Sequence, residues 1–398
     1  MLITGQFNDS FPPIMDGVAN AVCNYAYWLR EKEGAAYVVT PACPGSRDQY
    51  KFKVLRYFSL PLVVRPAYRL GIPALDRTFL KSLEAVPFRL VHAHCPFSAG
   101  SLALETARKR GIPCVASFHT KYYDDFKEAL KSAAAARLLT EYVVKFYTAA
   151  DAVWAVNDSS AETLRGYGFK GKIDVIGNGA DLEPLPGREQ AAAVVRERLG
   201  FSREELVFLY TGQLVPQKNV RLILEALRMV KNRGLAFRMI FAGAGPAERE
   251  LKGMTARMGL AGEVVFLGLV RDREYLKHLF CRADLFLFPS VYDNAPVAVK
   301  EAAAAGCPAL LIKGSNAAEG VEDGYNGFLA ENSAPGVAGK ILEAVSERGK
   351  LASIGGAARE TLYTSWERIV DEVRGRYREI IRAYKFRRTE KPNGGSYD

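Results

Sequence analysis

The 398-residue chain lacks the features that mark several classes of protein. Its six cysteines are scattered and form no CxxC pair, so neither a disulfide framework nor a zinc site is indicated. No apolar run is long enough to span a bilayer, and the first residues do not join a charged region to a long apolar core. We therefore expect a cytoplasmic protein, with peripheral attachment to the inner face of the membrane left open.

A basic recognition helix and an RNA-binding motif are also missing, so we expect no nucleic-acid partner. The net charge of +10 suits an anionic membrane surface or a phosphate-bearing substrate as well. The content of 49% hydrophobic and 25% charged residues is ordinary for a globular protein, and the length favours two domains. The sequence leaves the oligomeric state open.

Short apolar segments alternate with helical patterns along most of the chain. Leu90–His94 and Cys114–Phe118 are examples of predicted strands. This alternation predicts an α/β fold with parallel, doubly wound sheets. We predict a first domain at 1–180, a linker and first helix at 181–204, and a second domain at 205–364. The linker prediction rests on a polar segment, DLEPLPGREQ, with two prolines and a glycine.

Two basic segments are candidates for contact with anionic lipid. In a helix predicted at 365–391, apolar residues recur every three or four positions and the opposite face is basic. This helix is expected to bridge the domains, and its basic face either meets lipid or is solvated; a disordered tail is predicted at 392–398. The segment Phe52–Tyr68, which includes Arg65, mixes aromatic and basic residues. It either lies on a membrane or amphipathic acceptor, or forms a loop and an edge strand.

The apolar run Leu285–Phe288 predicts a short buried strand, and the stretch Phe288–Leu310 continues with a polar loop and a helix. Its helix, Val297–Ala305, is stopped by Gly306 and Pro308. The helix N-terminus follows the carboxyl end of a strand, where anions bind in open α/β sheets. Asp293 and Glu301 bracket this unit, and they suit two hydroxyl-rich parts of one ligand, such as a sugar and a ribose. The alternative is a helix N-cap carboxylate and a solvated glutamate.

Other single residues also follow predicted strands or open predicted helices. His119 follows a predicted strand and suits a hydrogen bond or proton relay to a sugar hydroxyl. His92 and His278 are expected to make structural hydrogen bonds, while His94 is left open. Lys218, after another strand and a glycine loop, either neutralises phosphate or is a solvated helix-start lysine. Gly17 opens a predicted helix, and it either approaches a phosphate or belongs to an ordinary loop.

These motifs, in this order, resemble the family 4 retaining glycosyltransferases of the GT-B fold over nearly the whole chain. The resemblance rests on Phe11-Pro12-Pro13…Gly17, His92-Ala93-His94-Cys95-Pro96-Phe97, Phe118-His119-Thr120, Asn178-Gly179…Asp181, Gly212-Gln213-Leu214…Lys218, Gly243-Ala244-Gly245-Pro246 and Pro289-Ser290…Asp293…Glu301-Ala302…Gly306…Pro308. It implies two Rossmann-like domains facing across a cleft, with the C-terminal helix crossing back to the first domain. The second domain is expected to hold a nucleotide-sugar donor, and the first an acceptor.

The resemblance also implies roles for particular residues. Lys218 and Gly17 contact the donor diphosphate, His119 lies next to the sugar, Asp293 binds a hexose hydroxyl and Glu301 binds the ribose. The implied positions are catalytic for His119, Lys218 and Asp293; donor-binding for Gly17, Gly212, Gln213, Lys218, Gly243, Leu267, Asn294, Ala295, Pro296, Val297 and Glu301; and acceptor-binding for Tyr122 and Tyr123. No metal or other cofactor is expected.

Two positions depart from the family pattern. The family usually has arginine where this chain has Gln213, and glutamine loses the permanent charge that stabilises a departing diphosphate. The family usually has glutamate where this chain has Asp293, whose side chain is one methylene shorter. Both departures indicate a different donor, slower chemistry or a compensating arginine elsewhere.

The predicted function is transfer of a hexose from a nucleotide-sugar, such as a UDP-sugar, to a membrane lipid such as diacylglycerol, with retention of configuration. The lipid acceptor is suggested by the stretch from Phe118 to Tyr122 and by the loop around Asp293, which are similar to bacterial lipid glycosyltransferases. Three alternatives stay open. These are transfer to a soluble sugar or polysaccharide, a weakly active partner subunit, and a sugar-nucleotide epimerase of the same fold.

Overall fold

The structure is a computed structural model, and it describes residues 1–14, 16–62, 68–182 and 188–389. Met15, residues 63–67 with Arg65, residues 183–187 of the predicted linker and the tail from 390 onward lie outside the described residues. The chain divides into two compact units, one made of residues 1–178 and 366–398, the other of residues 179–365. Helices and strands are numbered along the whole chain. No helix in the described part is both long and apolar enough to cross a membrane.

The first unit is built on a seven-stranded parallel sheet with the strand order β3-β2-β1-β6-β7-β8-β9. Its strands are β1 (Thr4–Phe7), β2 (Ala36–Pro41), β3 (Lys53–Tyr57), β6 (Leu90–Ala93), β7 (Cys114–Phe118), β8 (Ala152–Ala155) and β9 (Ile173–Val175), with a separate antiparallel hairpin of β4 (Ser59–Pro61) and β5 (Arg69–Gly71). Its helices are α1 (Gly17–Glu33), α2 (Arg77–Ala85), α3 (Ser98–Arg110), α4 (Tyr122–Leu130), α5 (Ala133–Thr148), α6 (Asp158–Gly166) and α14 (Trp366–Thr389). Nearly continuous apolar strands such as Cys114–Phe118 are buried on both faces of the sheet, as parallel strands require.

The second unit has a six-stranded parallel sheet with the order β12-β11-β10-β13-β14-β15. Its strands are β10 (Leu206–Thr211), β11 (Phe237–Ala242), β12 (Val264–Gly268), β13 (Leu285–Phe288), β14 (Ala309–Ile312) and β15 (Phe328–Ala330). Its helices are α7 (Arg188–Leu199), α8 (Val220–Asn232), α9 (Glu248–Arg257), α10 (Arg273–Arg282), α11 (Val297–Ala304), α12 (Ala334–Ser346) and α13 (Arg348–Thr361). The predicted α/β class with two doubly wound parallel sheets is confirmed.

Helix α14 packs on helix α1 of the first unit, which confirms the predicted return of the C-terminal helix. The first half of its apolar stripe is buried: Trp366, Val370, Val373 and Tyr377 are each at most 1% exposed. Part of its basic face is paired within the unit, because Arg374 and Arg378 both contact the carboxylate of Glu33. Contact of the remaining basic residues with lipid stays a prediction.

The segment Phe52–Tyr68 contains the edge strand β3 and β4, the first of the two hairpin strands. The ring of Tyr57 is fully buried, so the edge-strand alternative is confirmed for this part. Phe58 and Leu60, in the same segment, are 42% and 45% exposed. The described residues are therefore partly core and partly surface, and contact with a membrane stays a prediction.

Candidate functional site

The second sheet reverses its strand order between β10 and β13. These two strands are hydrogen-bonded neighbours, so the loops that follow their carboxyl ends lie side by side. In open α/β sheets this switch point is where ligands bind. The loop after β10 carries Gly212 to Lys218, and the loop after β13 carries Asp293 to Pro296. Two groups of predicted donor residues, separate in the sequence, therefore meet at one edge.

Lys218 and Asp293 form an ion pair across this switch point. The ammonium of Lys218 donates a hydrogen bond to Oδ1 of Asp293, and the two side chains are 18% and 16% exposed. Oδ2 of Asp293 is buried and has no hydrogen-bond partner among the described residues. Buried carboxylate oxygens are normally satisfied, so this atom is an acceptor that a ligand hydroxyl can fill. Lys218 is thus not merely a solvated lysine.

Asp293 does not cap helix α11. The N-cap residue is Pro296, and no side chain makes a capping hydrogen bond there. The N-cap alternative for Asp293 is therefore wrong. Backbone groups at the start of α11, around Val297, consequently keep the partial positive charge of an uncapped helix N-terminus.

The side chains of Ser290 and Asn294 hold the loop after β13, a role that the sequence did not predict. Oγ of Ser290, which is fully buried, accepts hydrogen bonds from the backbone N–H groups of Tyr292 and Asp293, both at 3.3 Å. The side chain of Asn294 is buried and accepts from Asn316 at 3.0 Å. A serine after a strand is too common a pattern to have shown this role. The loop is fixed before any ligand arrives.

Glu301 is buried and paired with an arginine. It is 5% exposed, and its Oε1 accepts from Nη2 of Arg273 at 2.6 Å. The alternative of a solvated glutamate is therefore wrong. The same Nη2 atom lies 3.4 Å from Oδ2 of Asp181. Arg273 opens helix α10, and no local motif marked it as a site residue. Its guanidinium contacts Glu301. The second unit therefore has an arginine beside this glutamate, even though position 213 is a glutamine.

The loop after β10, with Gly212 and Leu214, packs backbone against backbone on the loop after β11, with Gly243 and Gly245. A Cβ on Gly243 would lie 1.8 Å from the carbonyl oxygen of Gly212, and a Cβ on Gly245 would lie 2.3 Å from that of Leu214. Gly212 itself has a φ of 143°, which side-chain-bearing residues rarely adopt. These glycines therefore have a steric reason to be glycine, and a dinucleotide-type contact is not needed to explain them.

The remaining donor candidates line the same edge less closely. Gln213 is exposed, and its carbonyl accepts from the hydroxyl of Tyr210 at 3.0 Å. Leu267 lies near the end of β12 and is half-buried. Ala295 and Pro296 are half-buried in the loop that precedes α11. Their contact with a donor stays a prediction.

His119 belongs to a chain of histidines at the carboxyl edge of the first sheet. Its Nε2 lies 3.1 Å from Nδ1 of His94, whose Nε2 lies 3.0 Å from Oε1 of Gln6. His92 contacts Ser117 at 2.7 Å and Tyr377 at 2.6 Å, so its predicted structural hydrogen bonds are confirmed. Burial lowers the pKa of all three rings, that of His119 to about 4. They are therefore neutral at pH 7.

The other histidine behaves differently. Nδ1 of His278 is buried without a hydrogen-bond partner among the described residues, so the expectation of a satisfied structural histidine is wrong at that atom. It lies within helix α10, and its neighbours in sequence, Tyr275 and Leu279, are core residues.

Gly17 and Tyr122 occupy positions that weaken their predicted roles. Gly17 is exposed at the start of α1, and an added Cβ would meet nothing within 4 Å. However, the carboxylate of Asp16 already caps this helix by accepting from Ala19 at 2.7 Å, which disfavours a second anion. Tyr122 is 4% exposed within the first core, so it offers little surface to an acceptor. Tyr123 is half-buried and stays a candidate.

Among the described residues, no group of three or more histidine, cysteine, aspartate or glutamate side chains is placed to hold a metal ion. The charged groups at the carboxyl edge of the second sheet are one lysine, one arginine and their carboxylate partners. Side chains of these types form charge-assisted hydrogen bonds with phosphate and hydroxyl groups.

Comparison with known proteins agrees with this architecture. Residues 15–184 match the family model of Glycosyltransferase Family 4, and residues 193–361 match that of Glycosyl transferases group 1. The chain is 29% identical over 234 residues to the putative glycosyltransferase EpsF of Bacillus subtilis, an alignment that spans 57% of this chain and 58% of EpsF. It is 24% identical to the alpha-monoglucosyldiacylglycerol synthase of Streptococcus pneumoniae, over 86% of this chain and 78% of that protein.

A solved structure gives the same fold. Anabaena HepE in complex with UDP-glucose superposes with a TM-score of 0.76 at 20% identity, and the superposition covers 95% of this chain and all of HepE. The fold of this protein, with two parallel-sheet α/β domains, is thus of the GT-B type. The two family regions together span most of the chain, so this protein belongs to the glycosyltransferases, with a Glycosyltransferase Family 4 region followed by a Glycosyl transferases group 1 region.

Proposed function

We propose that the protein transfers a hexose from a UDP-sugar to a hydroxyl group of a membrane lipid such as diacylglycerol, with retention of configuration. The observation that carries this proposal is the Lys218–Asp293 pair at the switch point of the second sheet, with Oδ2 of Asp293 buried and unpartnered. The Lys218 ammonium, which can bind phosphate, therefore lies next to an oxygen of Asp293 that can accept a hydrogen bond from a sugar hydroxyl.

Each charged group has a task in this reaction. Lys218 neutralises the diphosphate of the donor, and the uncapped N-terminus of α11 faces the same anion. Asp293 accepts a hydrogen bond from a hexose hydroxyl, which orients the anomeric carbon. Glu301, held by Arg273, accepts from the ribose hydroxyls. Donor binding replaces part of the Lys218–Asp293 contact with contacts to phosphate and sugar.

The chemical step needs no protein nucleophile. The bond between the anomeric carbon and the phosphate oxygen breaks, and the acceptor oxygen bonds to the same face of that carbon. The acceptor proton passes to an oxygen of the departing diphosphate, which leaves as UDP. We propose that Lys218 stabilises the negative charge of this leaving group, and that no metal takes part.

Two features of similar proteins support the choice of substrates. HepE was solved with UDP-glucose, which supports a UDP-sugar donor. The Streptococcus pneumoniae relative is named for the synthesis of alpha-monoglucosyldiacylglycerol, a glycolipid, which supports a lipid acceptor. The net charge of +10 favours work at an anionic membrane surface.

A transfer assay tests the proposal. The protein is incubated with UDP-hexoses and vesicles that contain diacylglycerol, with EDTA present, and the product is examined by mass spectrometry and proton NMR. An α-linked glycolipid from an α-linked donor is expected, and Asp293→Asn is expected to be inactive. A product on added maltose but none on lipid contradicts the lipid acceptor, and a β-linked product contradicts retention.

Thermal shift measurements test the donor separately. UDP is expected to raise the melting temperature more than GDP does, because a ligand that binds only the native state stabilises it by mass action. Lys218→Met should abolish the shift. A larger shift with GDP contradicts the choice of UDP without affecting the acceptor.

A further inference from the structure

The amino-terminal edge of the second sheet holds a cavity of about 400 Å³ that is lined by four arginines. Arg196 comes from helix α7, Arg203 from the segment before β10, Arg282 from the end of α10 and Arg348 from the start of α13. Four separate stretches of chain therefore bring guanidinium groups to one place.

This cavity is separate from the proposed donor site. Asp284, which lines it, directly precedes β13, and Pro308 directly precedes β14. Lys218 and Asp293 instead follow the carboxyl ends of β10 and β13. Because parallel strands run from one edge of the sheet to the other, the two sites lie at opposite edges of the same unit.

The charges that line the cavity do not cancel. Two carboxylates face the four arginines, and each is shared by two of them. Glu189 lies 2.9 Å from Arg196 and 3.7 Å from Arg203. Asp284 lies 3.1 Å from Arg282 and 3.5 Å from Arg348. Among the residues that the structure describes, no other charged side chain lines the cavity, so the four positive and two negative groups of this lining leave an excess of two positive charges.

Two of the arginines are held rigidly. The side chain of Arg282 is 5% exposed and donates to the carbonyls of Ser202 at 3.2 Å and Glu205 at 2.6 Å. Its Nε is buried and has no hydrogen-bond acceptor among the described residues. Arg348 donates to the carbonyl of Glu204 at 2.6 Å. Guanidinium groups that are already ordered lose little freedom when they bind an anion.

The rest of the lining is apolar, with Ala192, Pro308, Leu351 and Ala352 beside the charged groups. The volume falls within the range of small-molecule sites and exceeds what one phosphate ion needs. We propose that this cavity binds a small organic phosphomonoester, whose dianion matches the two excess charges and whose carbon skeleton lies on the apolar wall.

Isothermal titration in chloride buffer tests the site, with inorganic phosphate and glycerol 3-phosphate as probes. We expect both to bind, and the double variant Arg196→Gln/Arg348→Gln to weaken binding about tenfold or more. The single variant Arg203→Gln should weaken it about threefold. Arg203 is 73% exposed, so its removal does not threaten folding. Arg233→Gln, an exposed arginine at the same edge outside the cavity, should leave binding unchanged.

The donor site is the competing location for phosphate, and Lys218→Gln distinguishes the two. Binding that survives in Lys218→Gln and falls in the arginine variants supports the cavity. Binding that falls only in Lys218→Gln, or no binding of either probe, overturns the inference. Binding of phosphate without glycerol 3-phosphate overturns the organic ester. None of these results depends on whether the enzyme transfers a hexose to lipid.

Discussion

Nδ1 of His94 accepts a hydrogen bond from Nε2 of His119, and the two atoms are 3.1 Å apart. The direction follows from Gln6, whose amide nitrogen contacts Thr4 at 3.3 Å and whose Oε1 faces Nε2 of His94. Because an amide oxygen only accepts, His94 donates from Nε2, and its Nδ1 is left to accept. His94 therefore fixes the tautomer of His119, with the hydrogen on Nε2.

This relationship predicts that His94 positions His119. His94→Leu removes the acceptor and should lower kcat about tenfold or more while KM for the donor changes little. In His94→Gln, the amide oxygen can accept from His119 and the amide nitrogen can donate to Gln6, so most of kcat should return. Steady-state kinetics of the two variants checks this. Equal losses in Leu and Gln would show that His94 matters only for packing.

The buried histidines predict a loss of stability in acid. Burial lowers the pKa of His92, His94 and His119 in the folded protein, the last to about 4. An unfolded histidine titrates near 6.5, so the unfolded state binds more protons between pH 6.5 and 4, and stability falls as pH drops through that window. His119 alone should cost about 2 kcal/mol between pH 8 and pH 5. Urea unfolding of the wild type and His119→Asn measures this, and the same pH dependence in both contradicts it.

Local patterns were sufficient to predict the strand–loop–helix units. Cys114–Phe118 and Leu285–Phe288 are strands with the predicted bounds, because an uninterrupted apolar run between turn residues marks a buried parallel strand. Gly306 ends α11 with a φ of 67°, as a glycine after an alanine-rich helix indicates.

Local sequence patterns could not predict which side chains pair with each other in the site. Lys218 and Asp293 are 75 positions apart and meet only because β10 and β13 are neighbours in the sheet. Arg273 reaches Glu301 from the helix after an edge strand, and no spacing rule selects it from the other arginines. Strand order decides these contacts, and strand order is set by the packing of the whole unit.

For the Lys218–Asp293 pair, we predict that removing both charges restores stability but does not restore activity. Lys218→Met leaves the partly buried carboxylate of Asp293 unpaired and should destabilise the protein by about 1–3 kcal/mol. Lys218→Met/Asp293→Asn should recover most of that stability, because the charge is removed. Both variants should lack transferase activity, since the phosphate contact is lost. Urea unfolding and the transfer assay together measure this, and an active double variant would remove both residues from the mechanism.

Gln213 predicts a gain of affinity on substitution by arginine. The side chain is exposed on the loop that carries Lys218, so a guanidinium there adds a second positive charge for the donor diphosphate. Gln213→Arg should bind UDP about tenfold more tightly at low salt, and the gain should shrink at high salt. Asn232→Arg, an exposed position at the far end of α8, adds the same net charge and should have little effect. Equal gains in the two variants would show that overall charge alone is responsible.

Gly243 predicts a steric effect that is independent of donor binding. An alanine Cβ there would lie 1.8 Å from the carbonyl oxygen of Gly212. The three nearest atoms all belong to the backbone of Gly212, so no flexible side chain can move aside to relieve the clash. Gly243→Ala should therefore lower the free energy of unfolding by about 3 kcal/mol. Gly339→Ala is the matched control: Gly339 is exposed within α12 with nothing within 4 Å of its Cβ, and alanine should stabilise that helix by about 0.5–1 kcal/mol. Both values come from urea unfolding without ligand. If Gly243→Ala unfolds like the wild type and loses only UDP affinity, then the glycine serves the donor and the packing of the two loops does not require it.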